Sequence, residues 1–176
     1  RARDVVGFEI DRDLAARLRD AGRPNLRIVV GDFLDLTPDT LRETLTCLPT
    51  PPGTLRVAGN LPYNVASPIL FKLVELFAAG LPILDASVML QREVANRLLA
   101  RPGTKDYGVL TVLIGHQSDV DRLLQLPAGA FRPAPKVQST VVRLRFHPPV
   151  PEVADSAVIA GITRAVFTRR RKTLSN

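Results

Sequence analysis

One cysteine, Cys47, stands in 176 residues, so no intramolecular disulfide can form and the chain suits a reducing compartment. A buried or inert thiol is expected there. No apolar run approaches the roughly 18 residues that a membrane-spanning helix needs. The opening Arg1 to Ile10 lacks the apolar core of a signal peptide, and a cytoplasmic location away from membranes is expected. His116 and His147, the two histidines, have no partners at metal-ligand spacing, so no metal is expected. Glycine pairs of the GxG type, internal repeats and low-complexity tracts are also missing.

What is present is an ordinary globular composition with a basic excess. Hydrophobic residues make up 45% and charged residues 23%, while 24 Lys and Arg against 17 acidic residues leave a formal charge of +7. Such a balance favours polyanionic partners without choosing among them.

The hydrophobic pattern alternates between strand and helix. Asp4 to Ile10, Asn25 to Phe33, Thr54 to Asn60 and Ile83 to Gln91 read as strands. Helices are expected after the first, ending at Gly22, and after the third, where Ser67 and Pro68 resemble an N-cap and a first-turn proline and Gly80 a stop. Residues 92–100 read as a further helix. This order argues for an α/β domain with a mostly parallel sheet. Asp119 to Pro127 and Val137 to His147 then suggest an antiparallel hairpin at one edge. The expected division is a domain over 1–149, then a proline-rich linker and the start of a helical segment over 150–176.

In open α/β sheets ligands lie beyond the carboxyl ends of the strands. Glu9, Asp32 and Asn60 fall there. A carboxylate at such an end can accept ribose hydroxyls, and another can accept from the amine of an adenine, a set suited to an adenosine-containing cofactor. Read singly, Glu9 or Asp11 caps a helix and Asp32 is a turn residue. The glycine-rich loop that normally precedes the first acidic residue by about 20 residues is absent. As the chain starts at Arg1 directly before a strand, the loop is expected upstream, on a strand outside this sequence.

The stretch Asn60-Leu61-Pro62-Tyr63-Asn64 carries the remaining chemistry. The Asn60 side-chain oxygen and the Leu61 carbonyl can each accept one N–H of an adenine amine, aiming its lone pair at an electrophilic carbon. Tyr63 can stack on the base. The alternative is a proline turn in which Asn64 helps a helix begin.

With these residues in hand, the sequence resembles the rRNA adenine N6,N6-dimethyltransferases of the KsgA/RsmA type. The resemblance rests on ordered segments over nearly the whole chain: VVGFEID (5–11), VVGDFLDL (29–36), GNLPYNVASPIL (59–70), MLQREVANRLLARPGTKDYGVLTVL (89–113), FRPAPKVQSTVVRL (131–144) and FTRRRKTLSN (167–176). It implies a Rossmann-like class I S-adenosylmethionine-dependent methyltransferase sheet with an antiparallel edge hairpin, followed by the start of a helical C-terminal domain. The implied activity is dimethylation of two adjacent adenosines in the 3′-terminal hairpin loop of small-subunit (16S) rRNA, during ribosome biogenesis, on a pre-30S particle and by a monomer. By the same resemblance, Glu9, Ile10, Asp32, Phe33 and Asn60 hold S-adenosylmethionine. Asn60, Leu61, Pro62 and Tyr63 form the target-amine site, with Phe131 stacking on the flipped adenine. Arg132 and Lys136, near that loop with Arg143 and Arg145, and the run Arg169, Arg170, Arg171 and Lys172 are expected to contact RNA phosphates. Rival readings are a macrolide-resistance-type large-subunit rRNA methyltransferase, a DNA adenine methyltransferase, and a non-catalytic ribosome-assembly or transcription factor of the same fold.

Overall fold

Strand β1 (Val5–Glu9) lies parallel to β2 (Leu26–Val30), with Val5 opposite Leu26 and Glu9 opposite Val30. Gly7 permits the pairing to pack closely, since a Cβ there would stand 2.9 Å from Ile28 Cδ1. Helix α1 (Arg12–Asp20) joins the two strands. Asp11 caps it by accepting from the Asp13 and Leu14 amides at 2.9 and 3.0 Å, and Gly22, at φ +60°, ends it. Asp11→Ala should therefore cost about 1 kcal/mol of stability, read as a lower denaturation midpoint.

The protein is seen here as a computed structural model that describes residues 2–48, 53–133, 135 and 137–168. It divides into two units, the first ending at Gly53 and the second starting at Thr54. A helix not expected from the sequence, α2 (Pro38–Thr46), completes the first unit. Thr37 caps it by accepting from the Thr40 amide at 3.1 Å, and Leu41 and Leu45, one turn apart, are buried. Cys47 follows as its C-cap and is exposed, so of the expected buried or inert thiol the buried half is corrected: the amphipathic helix turns that position away from its apolar face.

In the second unit, β3 (Leu55–Asn60), α3 (Ala66–Ala78), β4 (Ile83–Gln91) and α4 (Arg92–Leu98) run in order. They are followed by α5 (Val109–Gly115), β5 (Ser118–Leu126), β6 (Ser139–Phe146) and α6 (Ser156–Thr168). The sheet order is β3-β4-β6-β5. A mostly parallel sheet was expected; β3 and β4 are parallel, whereas β4–β6 and β5–β6 are antiparallel, so this sheet is mixed and the hairpin forms its edge. Ala86, Val88, Leu90, Val142 and Leu144 alternate along β4 and β6 and are fully buried, as are Leu70, Leu73 and Leu76 of α3 and Ile114 of α5. Phe77 stacks on Phe146 with ring centroids 5.3 Å apart. On the other side of the sheet Arg56, Asp85, Arg145 and Asp119 lie in register across four strands, alternating in charge.

Helix α3 begins one residue before the expected cap. Val65 is the N-cap and makes no side-chain hydrogen bond; Ser67 and Pro68 already lie in the first turn, where proline's missing N–H leaves no helical bond unmade. Asn64 belongs to the turn before it, closed by the Val65 amide donating to the Pro62 carbonyl at 3.2 Å. His116 is buried, its Nε2 2.8 Å from the Pro151 carbonyl, so it fastens the proline-rich segment. Among the described residues no helix is long and apolar enough to cross a membrane, and no group of three or more His, Cys, Asp or Glu is placed to hold a metal.

Candidate active site

In the first unit the parallel pairing brings four predicted residues to one rim. Glu9 ends β1 opposite Val30, the Gly31 amide donates to the Glu9 carbonyl at 3.0 Å, and Asp32 and Phe33 follow at once. Glu9 Oε1 accepts from the Asp11 amide at 2.9 Å. Asp32 Oδ1 accepts from the Leu34 amide at 2.9 Å and caps a single 3-10 turn, Phe33–Asp35. Each carboxylate thus spends one oxygen on its own loop, as the plain structural readings require. Among the described residues its second oxygen takes no hydrogen bond. Ile10 is 67% exposed, and Phe33 meets Phe8 edge to face at 5.6 Å. The result is a rim with two half-buried carboxylates, each with one oxygen unengaged among the described residues, beside an exposed aliphatic side chain.

In the second unit β3 delivers Asn60 to the carboxyl rim, in register with Met89. The chain then leaves the sheet: the Leu61 amide donates to the Met89 carbonyl at 3.2 Å, and the buried Leu61 side chain anchors the turn. Gly59 leaves room for it, because a Cβ there would stand 3.1 Å from Leu61 Cδ2. Asn60 is exposed, and among the described residues neither its carboxamide nor the Leu61 carbonyl accepts a hydrogen bond. Two acceptors from adjacent residues, neither engaged among the described residues, therefore lie where the strand ends. Pro62 fixes the backbone after them, and Tyr63 is 41% exposed, its hydroxyl 3.4 Å from Ser139 Oγ.

Phe131 is half-buried in the segment that leads into β6, following a 3-10 turn whose Ala128 carbonyl accepts from its amide at 3.3 Å. Because β6 runs antiparallel to β4, with Ser139 opposite Gln91, that segment enters at the rim where β3 and β4 end. Arg132 is exposed beside Phe131. Lys136 and the run Arg169, Arg170, Arg171 and Lys172 lie outside the described residues. Arg143 and Arg145 do not gather at this rim: they run away from it along β6, and Arg145 is paired with Asp121 at 2.6 Å. Sequence reasoning gave no role to Ser139, Gln138 or Arg92, although all three lie in the quoted segments. The one available signal was a small hydroxyl residue opening a strand after a proline-rich loop.

Known proteins resemble the chain over nearly its whole length. A "Ribosomal RNA small subunit methyltransferase A" from Aromatoleum aromaticum is 45% identical over 170 residues, 96% of this chain and 59% of the relative. One of the same name from Acidobacterium capsulatum is 43% identical over 178 residues, 100% of this chain and 60% of the relative. The chain thus spans about three fifths of the length of the curated relatives it matches. Among solved structures, a dimethyladenosine transferase from Plasmodium falciparum superposes with a TM-score of 0.73 at 27% identity, covering 98% of this chain and 58% of that one. The 23S rRNA methyltransferase ErmE does so at 0.66 and 30%, covering 96% and 63%. The fold is the Rossmann-like methyltransferase fold. Since the model of the family described as "Ribosomal RNA adenine dimethylase" matches residues 1–176, the chain belongs to that family.

Proposed function

We propose that the protein is a small-subunit rRNA adenine N6,N6-dimethyltransferase acting on two adjacent adenosines of the 3′-terminal hairpin loop. The observation that carries this is the pair of acceptors at the end of β3, the Asn60 carboxamide and the Leu61 carbonyl, which take no hydrogen bond among the described residues. The names of the curated relatives favour small-subunit RNA over the large-subunit RNA of ErmE.

S-adenosylmethionine, when bound, supplies an electrophilic methyl carbon. The first-unit rim fits such a group: the unengaged oxygen of Glu9 suits a ribose hydroxyl, that of Asp32 an adenine amine, and Ile10 and Phe33 suit the faces of the ring. The chain's own part in the reaction is to correct a poor nucleophile. An adenine amine delocalises its lone pair into the ring, and two acceptors holding its N–H groups draw the nitrogen toward tetrahedral geometry. After the first methylation one N–H remains, so a single acceptor holds the amine in the second round. Tyr63 and Phe131 supply aromatic faces for a base turned out of its loop, and Arg132 a cation for the backbone that carries it. The proposed organisation is a methyltransferase domain over 1–149 and an RNA-binding helical segment beginning in 150–176.

The test incubates the protein with labelled S-adenosylmethionine and small ribosomal subunits lacking the modification. Dimethyladenosine in the 3′ hairpin is the expected product. Label confined to large-subunit RNA or DNA, or absent from all three, overturns the proposal.

A further inference from the structure

We propose that Ser139 is a positioning residue, whose hydroxyl ties Tyr63 across the end of the sheet and sets the plane on which the target adenine stacks. This inference rests on the base-amine reading of the Asn60 to Tyr63 loop. Tyr63 follows β3 and Ser139 opens β6, and these strands are not neighbours, because β4 lies between them. The contact between Tyr63 Oη and Ser139 Oγ therefore carries the loop over the carboxyl end of β4.

The two ends of this contact differ in burial. Tyr63 is 41% exposed, whereas Ser139 is 1% exposed and held on every side. It pairs with Gln91 on β4 and Leu126 on β5. Its neighbour Gln138 is gripped twice by Arg92, whose amide donates to the Gln138 carbonyl at 2.9 Å and whose guanidinium donates to Gln138 Oε1 at 2.7 Å. A buried hydroxyl on a paired strand thus meets a partly exposed ring. At 3.4 Å the hydrogen bond is long for two hydroxyls. Contacts of this kind commonly tighten when substrate fills a site, so its contribution falls on the reacting complex rather than on the resting fold.

A double-mutant cycle tests this on small ribosomal subunits. Ser139→Ala and Tyr63→Phe should each lower kcat about fivefold with KM changed less than twofold, and the combined variant should be no worse than either. Losses that multiply in the double variant, or full kcat in Ser139→Ala, overturn the proposal. A second readout needs no activity. The sequence holds two tyrosines and no tryptophan, so in a Tyr107→Phe background all tyrosine emission comes from Tyr63. Adding Ser139→Ala should lower its fluorescence anisotropy; unchanged anisotropy overturns the tie. If the unmodified protein methylates no rRNA adenine, the functional reading fails while the anisotropy still decides the role of Ser139.

Discussion

An Asn60→Ala variant is expected to fold like the parent and to lose methyl transfer by about two to three orders of magnitude in kcat, the usual effect of deleting one preorganised polar partner of a transition state. Folding should survive because Asn60 is exposed and its side chain makes no hydrogen bond among the described residues, while the strand ends on backbone contacts such as the Leu61 amide with the Met89 carbonyl. The loss should be large because the Leu61 carbonyl alone cannot hold both N–H groups of the amine. Single-turnover methylation, with circular dichroism to check the fold, measures both halves of the prediction. Wild-type turnover would remove Asn60 from the chemistry.

A Leu73→Ala variant should lose about 2–5 kcal/mol of stability, the range for truncating a buried leucine in a core that cannot fully collapse around the gap. Leu73 is 0% exposed, midway between the equally buried Leu70 and Leu76 on α3. A folded domain commonly has only about 5–15 kcal/mol in total, so this one change removes a large share of it. Urea unfolding should show a lower midpoint at an unaltered slope; an unaltered midpoint would mean that α3 contributes little to the core.

Much of this fold was legible because its strands are short apolar runs with polar ends. The expected strand Ile83–Gln91 is the observed β4, residue for residue. The two missed helices failed for different reasons. α2 runs up to a proline-rich stretch that reads as loop, yet Thr37 and Pro38 start it and Leu41 and Leu45 mark its inner face. α5 is a run of valine, leucine and isoleucine, a composition that suits strands and is made helical here by tertiary packing. The division into a two-stranded and a four-stranded sheet was not legible, since which strands pair is decided by contacts far apart in sequence. For the candidate site, residue types and their place after strands pointed to Glu9, Asp32 and Asn60. The Ser139 contact with Tyr63 joins positions 76 residues apart, and no local pattern announces it.

The reversal of β6 has a consequence for which parts of the chain can cooperate. In a sheet of parallel strands, the loops at the carboxyl rim all follow the strands they belong to, and segments that enter strands are consigned to the opposite rim. Turning one interior strand around exchanges those addresses. The stretch entering β6, with Phe131 and Ser139, arrives on the side where β3 discharges Asn60 to Tyr63. A pocket for a planar base needs walls from both directions, and a single inverted strand lets early and late pieces of one polypeptide supply them without a long crossing over the sheet.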